Sequence, residues 1–239
     1  YSDNGINWSS STSGLTTVFT DIAYANGKFV AVGNHGTIIS SADGVTWDTG
    51  FTLTPPISNI ADWSITSIAF NGTSFAATAT DYAGSENFFI SNDGVNWDVN
   101  VLPVPHSGGV IGSGSGLFIT TMSGGIYTSS DGLTWANKGS LSSFGYSDVI
   151  EHIDYAGGKF FIVGRSSGHA LVSDDLGANW TNVNITNRLE STLNEVVFNG
   201  YNYLAIGDIY ADGTNRAKSY ASVDGVNWTY QDVPDGNYL

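Results

Sequence analysis

Residues 129–135 read SSDGLTW, and that shape occurs six times along the chain. SADGVTW ends at Trp47, SNDGVNW at Trp97 and SVDGVNW at Trp228. Two looser copies are YSDNGINW, ending at Trp8, and SDDLGANW, ending at Trp180. The first and last of these tryptophans are 220 residues apart in five steps, a mean period of 44. A period of roughly 40–45 residues is that of a four-stranded propeller blade.

The rest of the period repeats as well. An apolar segment, a Gly-rich turn and a second apolar segment recur at IAYANGKFVAVG (22–33), IAFNGTSFAATA (68–79), VIGSGSGLFITT (110–121), IDYAGGKFFIVG (153–164) and VVFNGYNYLAIG (196–207). Each reads as two strands joined by a hairpin. A third short strand follows (TIIS, FFIS, IYTS, ALVS or YASV), then the Asp-Gly turn, then a fourth strand beginning at the Trp. The apolar segments do not alternate: Phe29 to Val32 and Phe160 to Val163 are apolar throughout. A strand covered on both faces has that pattern. The expectation is one all-β domain over residues 1–239, a β-propeller of five or six four-stranded blades. Five repeats end near Trp47, Trp97, Trp135, Trp180 and Trp228, with a partial repeat at 1–8.

Composition narrows the function. The 239 residues carry 7 Lys+Arg against 22 Asp+Glu, a net charge of −15. Nucleic-acid affinity depends on neutralising phosphates with basic side chains, so nucleic acid is excluded as a partner. No apolar run approaches the ~20 residues that cross a bilayer, so membrane insertion is not expected. With no cysteine there is no disulfide, thiolate nucleophile or thiolate metal site. The chain opens inside a repeat, at Tyr1, which reads as a segment of a longer protein.

The turn chemistry explains the motif. Gly supplies positive φ, and the Asp carboxylate accepts hydrogen bonds from turn amides. The Trp wedges between sheets, its N–H seeking a carbonyl. Asp3, Asp43, Asp93, Asp131, Asp175 and Asp224, with Trp8, Trp47, Trp97, Trp135, Trp180 and Trp228, are therefore expected to be structural. The competing reading makes the carboxylates calcium or sugar ligands.

SDDLGANW matches the Asp-box S-x-D-x-G-x-x-W of the sialidase-type (BNR) propellers, and the chain resembles that superfamily over almost its whole length. The first copy keeps the D-x-G spacing as Asp3, Gly5 and Trp8, with Tyr1 in place of the Ser. The other four copies are one residue tighter, S-x-D-G-x-[TN]-W, similar to repeats of phage structural and bacterial surface proteins. The resemblance implies a propeller whose Asp-boxes join strands 3 and 4, on the face opposite the sialidase active site. It implies nothing firm about activity, because many non-enzymatic propellers carry the box.

Candidate ligand residues then fall on the other end, in the connections from strand 2 to strand 3 and between blades, where loops on a rigid scaffold bind. Arg165, Arg188 and Arg216 are the only arginines, all on late loops; a sialidase-like enzyme clamps a carboxylate with three such forks. Asp81, Tyr82 and Glu86 form an acidic-aromatic loop, as do Asp208, Tyr210 and Asp212. Trp63, the only tryptophan outside a box, is either a sugar-stacking platform or core packing. His35, His106, His152 and His169 fit no zinc spacing. No catalytic residue, metal or cofactor is assigned. The leading expectation is a non-catalytic extracellular or virion-surface recognition module that binds a glycan or cell-surface ligand, and potentially other virion or surface-protein subunits. The alternatives are a sialidase-like glycoside hydrolase and a protein-assembly scaffold, like the propellers that help assemble photosystems.

Overall fold

The computed structural model describes residues 1–2, 4–54, 57, 59–81, 86–100, 109–146, 149–165, 168–186, 191–211 and 214–231, with backbone alone at 52, 86, 209–211 and 214–216. The chain divides into two compact units, residues 1–111 with 130–134, and 112–129 with 135–239.

Five sheets follow the repeat. The first is β1 (Phe19–Ala25), β2 (Lys28–Gly33) and β3 (Thr37–Ser41), in that order. The second contains β4 (Thr52–Thr54), β5 (Trp63–Phe70), β6 (Phe75–Asp81), β7 (Glu86–Ser91) and β8 (Asn96–Asn100), ordered β4-β8-β7-β6-β5. The third is β9 (Ile111–Gly114), β10 (Leu117–Met122), β11 (Gly125–Ser129) and β12 (Ala136–Ser140). The fourth is β13 (Ile150–Ala156), β14 (Lys159–Gly164), β15 (His169–Ser173) and β16 (Thr181–Asn184). The fifth is β17 (Ser191–Phe198), β18 (Tyr203–Ala211), β19 (Thr214–Ser222) and β20 (Thr229–Gln231). The described helical elements are two 3-10 turns, Ile60–Asp62 and Leu141–Phe144. Among the described residues no helix is long and apolar enough to cross a membrane.

One register rule runs through all five sheets. The aromatic or Phe at the head of the second strand pairs with the serine that opens the turn motif: Phe29 with Ser41, Phe75 with Ser91, Phe118 with Ser129, Phe160 with Ser173 and Tyr203 with Ser222. Because side chains alternate with a period of two, this pairing fixes which residues face each neighbouring sheet. In the first unit Val30, Val32 and Ile38 join Ile65, Ile68, Phe75, Ala77, Ala79, Phe89 and Trp97 in one core. In the second unit Phe161, Val163, Ala170 and Val172 join Leu193, Val196, Tyr203, Ala205 and Tyr220. Phe160, Phe161, Ile162 and Val163 are all buried, as expected of a strand covered on both faces. Burying one such side chain contributes about 1.5–3 kcal/mol.

Two expectations need correction. The first repeat does not complete a four-stranded sheet. After Trp47 its fourth strand is reduced to one bridge, Ser40 with Asp48, where Asp48 Oδ1 turns the chain by accepting from Gly50 N at 2.8 Å. The chain then supplies β4 as a parallel edge strand beside β8 of the second sheet. The loops expected to carry Asp81, Tyr82 and Glu86 and to carry Asp208, Tyr210 and Asp212 are also shorter than read. β6 runs to Asp81 with Thr80 paired to Glu86, and β18 and β19 stay paired out to Ala211 and Thr214. Gly207, Asp208 and Asp81 interrupt the apolar runs there, so those stretches read as loop.

Candidate functional site

The six turn motifs share one hydrogen-bond pattern. Ser41 Oγ donates to Asp43 Oδ1 at 3.0 Å and accepts from Gly44 N at 2.8 Å. Val45 N and Thr46 N both donate to Asp43 Oδ1 at 2.8 Å. The same carboxylate oxygen takes Val95 N and Asn96 N in the second copy, and Val226 N and Asn227 N in the last, all at 2.8 Å. Asp131 takes Leu133 N at 2.8 Å and Thr134 N at 2.7 Å. Asp175 takes Asn179 N at 2.8 Å, with Leu176 absorbing the inserted residue at φ 62°. Where Asn precedes the Trp, its amide donates to the second carboxylate oxygen at 2.7 Å. The glycines adopt the expected left-handed conformation, φ 72° at Gly44 and 73° at Gly94.

These amides set the ionisation of the acids. The Thr46 amide leads in holding Asp43 below the usual carboxylate range, the Asn96 amide does so for Asp93, Asn179 for Asp175 and Asn227 for Asp224. A carboxylate that accepts several N–H bonds is stabilised in its charged form.

The first copy is pinned by a residue the spacing argument missed. Asn4 Oδ1 accepts from Ile6 N and Asn7 N at 2.9 Å, and Ser2 Oγ accepts from Gly5 N at 2.9 Å. The motif is thus S-x-N-G-x-N-W in the tight spacing, with Asn in the acid's position. Asp3, expected in that role, lies outside the described residues.

The tryptophans divide by what covers them. Trp97 and Trp180 are buried, and Trp47, Trp135 and Trp228 are half-buried. Trp180 and Trp228 donate Nε1 to the carbonyl of their own turn glycine, both at 3.2 Å. Trp97 Nε1 is buried without a partner among the described residues. Trp8 is 73% exposed, so the wedge expected of it is not formed; among the described residues around it, 1–2 and 4–9, there is no strand.

The loop candidates do not assemble into one site. Trp63 is not a platform. It is 8% exposed, opens β5 and packs in the core with Ile65 and Phe89, while its carbonyl accepts Gly36 N at 2.8 Å. Asp81 is half-buried at the end of β6, paired with Trp63. Tyr82, Arg188, Asp212 and His106 lie outside the described residues, and the side chains of Glu86, Tyr210 and Arg216 do as well. Arg216 is placed within β19, opposite Ile209, rather than on a loop. Arg165 is closed by Glu151, to whose carboxylate its Nε donates, and that pairing raises the guanidinium's affinity for its proton, with a smaller contribution from Asp208. Arg165 and Asp208 are the sequence candidates that the structure brings within electrostatic reach of each other. Two histidines are tied locally: His152 Nδ1 to Asp154 at 2.8 Å and His169 Nδ1 to Asn182 at 2.9 Å. Among the described residues no group of three or more His, Cys, Asp or Glu is arranged to hold a metal ion.

A groove that sequence reasoning did not single out lies on the first sheet. It is open to solvent, with a volume of about 410 Å³, and its lining includes Phe19, Ile22, Ala31, Ile39 and Trp47 together with Asp21 and the hydroxyl-bearing Ser11, Ser13 and Thr20. Ile22 and Tyr24 on that side are 54% and 62% exposed. Large apolar side chains are also exposed on the fifth sheet: Val197 at 43%, Leu204 at 37% and Ile206 at 42%. For three of them the signal was present at the level of the repeat: the counterparts of Ile22 (Ile68, Ile153, Val196) and, in the first and fourth sheets, of Leu204 and Ile206 (Val30, Val32, Phe161, Val163) are buried.

No family model matches the sequence, and neither does any curated protein. Solved structures match in fold. YCF48 bound to a D1 peptide is 18% identical, with a TM-score of 0.62 over 91% of this chain and 69% of that one. The GH74 enzyme of Niastella koreensis is 16% identical, with a TM-score of 0.64 over 89% of this chain; the match covers 30% of that enzyme's length. A structure of the nidogen/laminin complex is 14% identical, with a TM-score of 0.54 over 84% of this chain and 80% of that one. These neighbours are β-propeller folds, and the chain is an all-β protein of that class.

Proposed function

We propose that the protein is a non-catalytic recognition module of extracellular or virion-surface type, a single propeller domain that works by associating with other protein subunits. One observation carries this reading. Among the described residues, the turn carboxyls Asp43, Asp93, Asp175 and Asp224 and the guanidinium of Arg165 are occupied internally, while Ile22, Tyr24, Leu204 and Ile206 stand exposed. Exposed apolar side chains of this size suit contact with a protein partner. Neighbours of the same fold are found with protein partners, the D1 peptide and laminin.

A hydrolase has less support. A general acid needs a carboxyl pushed above its ordinary range. The turn carboxyls are pushed the other way. A sialidase-type clamp needs three free arginines, and Arg165 is already paired. A glycan ligand is the second reading, favoured by the aromatic, carboxylate and hydroxyl lining of the first-sheet groove. The test is incubation of the chain with a glycan panel that includes sialosides, read by mass, beside capture of proteins on the immobilised chain. The reading expects intact glycans and a retained protein. A trimmed sugar overturns it.

A further inference from the structure

We infer that the turn motif guards its own Asp-Gly peptide bonds against isoaspartate formation, with the motif serine as the guarding residue. The guard acts whatever partner the module binds, and it gives the serine a chemical role beside its structural one.

Asp-Gly is the pair most susceptible to this reaction, because glycine has no side chain to shield its own nitrogen and the freest backbone. The chain places the pair at the same point of the repeat four times, as Asp43-Gly44, Asp93-Gly94, Asp131-Gly132 and Asp224-Gly225, and all four aspartates are exposed. The reaction is an internal displacement. The glycine nitrogen attacks the aspartate Cγ; its proton and the carboxyl hydroxyl leave together as water, and a five-membered imide forms. A water molecule then opens the imide at either carbonyl, giving aspartate or isoaspartate. Two conditions must be met. The glycine nitrogen has to turn its face onto Cγ, and the carboxyl has to be protonated, since the ionised form offers no leaving group.

The motif withholds both. Gly44 N donates to Ser41 Oγ at 2.8 Å, Gly94 N to Ser91 Oγ at 2.8 Å and Gly225 N to Ser222 Oγ at 2.9 Å. The aspartate's own N–H donates to the same oxygen at 3.3 Å in each copy. The peptide groups on both sides of the acid are thus tied to one atom, and that hydroxyl in turn donates to Oδ1 at 3.0, 3.1 and 2.9 Å. The glycines are also buried against the neighbouring sheet of their own unit. A Cβ on Gly94 would stand 2.6 Å from Val30 Cγ2, and one on Gly225 3.1 Å from Phe161 Cζ, so the glycine has little room to swing.

The carboxyl is held back as well. Turning Cγ toward the nitrogen works against the two amides on Oδ1, those of Val95 and Asn96 in the second sheet. Amides aimed at a carbonyl oxygen can stabilise an oxyanion. Here they stabilise the resting carboxylate instead: the amides of Thr46, Asn96 and Asn227 lead in holding Asp43, Asp93 and Asp224 below the usual carboxylate range. Each unit of lowering removes about tenfold of the protonated acid on which the reaction depends.

The test is isoaspartate content, site by site, in the full chain aged at mildly acid pH, folded and in urea. Digestion with a protease that cleaves before aspartate but not before isoaspartate, read by mass, counts each site separately. The folded wild type should convert Asp43, Asp93 and Asp224 at least about tenfold more slowly than the same chain in urea. Ser91→Ala should raise conversion at Asp93 about tenfold, the loss of one charge-assisted hydrogen bond, and leave Asp43 and Asp224 at the wild-type rate. Ser222→Ala should do the same at Asp224 alone. The unchanged sites show that each variant is folded. Equal rates in the folded and unfolded chain, or serine variants that age as the wild type does, overturn the inference. So does a rise shared by all three sites in both variants, which makes the fold as a whole, and not the serine, the protection.

Discussion

Replacing Phe161 with Ala tests whether stability resides in sheet-on-sheet packing. Phe161 lies in β14 and is fully buried. Its ring centroid is 5.5 Å from Tyr203 and 6.3 Å, edge-on, from Trp228, both of the fifth sheet. It also lies under the last turn motif: a Cβ on Gly225 would stand 3.1 Å from its Cζ. Truncation removes these contacts and leaves a cavity that a rigid ladder closes poorly. Phe→Ala in such a site costs about 3–5 kcal/mol. Each aromatic pair accounts for about 0.5–1.5 kcal/mol of that beyond area. For a chain of this size the melting temperature should fall by about 10 °C. Urea unfolding followed by far-UV circular dichroism measures the loss, and a double-mutant cycle with Trp228→Ala should return a coupling of about 0.5–1.5 kcal/mol. Leu204→Ala is the matched control, since it occupies the equivalent position on an uncovered face. At dilutions where the chain is single it should cost less than about 1 kcal/mol. A Phe161→Ala cost below about 1 kcal/mol, or a Leu204→Ala cost equal to it, would refute the reasoning.

The turn motif makes its own predictions. Asp93→Asn should cost less in a thermal melt than Asp93→Ala, because Asn4 shows that an amide oxygen serves the same two N–H groups while the charge and the bond from the Asn96 amide are lost; Asp93→Ala should lose about 1 kcal/mol in the same melt. Trp8→Ala should leave stability within about 0.5 kcal/mol, and Trp180→Ala should cost about 3–5 kcal/mol, both by urea titration. The four depressed turn carboxyls bind protons more weakly in the folded than in the unfolded chain. Their contribution is therefore fully present above about pH 4 and is lost as pH falls through the lower folded values. Denaturation midpoints should be flat from pH 7 to about pH 5 with respect to these groups and should drop below pH 4.

The fold was legible because the repeat states it several times over. Apolar runs such as Phe160 to Val163 and the Ser-x-Asp-Gly turns point to the same strands, and the register of Phe160 with Ser173 follows from them. The first sheet was misread where one polar residue decides. Asp48 turns the chain after a single bridge, and nothing in the period foretells it. The long ladder of β18 and β19 was missed because Gly207 and Asp208 interrupt its apolar run, and such a break reads as loop in a sequence. The candidate site was less legible. Trp63 reads the same whether it stacks on a ligand or fills a core, and only its 8% exposure distinguishes them. Arg165 reads as a free clamp until Glu151 is placed beside it. The exposed faces were invisible residue by residue, since Leu204 and Ile206 look like any other core pair. They stand out only when set against Phe161 and Val163 at the same rung.

The central claim is that the six conspicuous motifs are turn devices rather than ligand sites. Side-chain carboxyl carbon NMR of the full chain, followed through acid pH, tests it most directly. The account predicts that Asp43, Asp93, Asp175 and Asp224 titrate well below the ordinary carboxylate range, with resonances unmoved by added calcium. Titration at the ordinary value near pH 4, or a calcium-dependent shift confined to these four carboxylates, would contradict it.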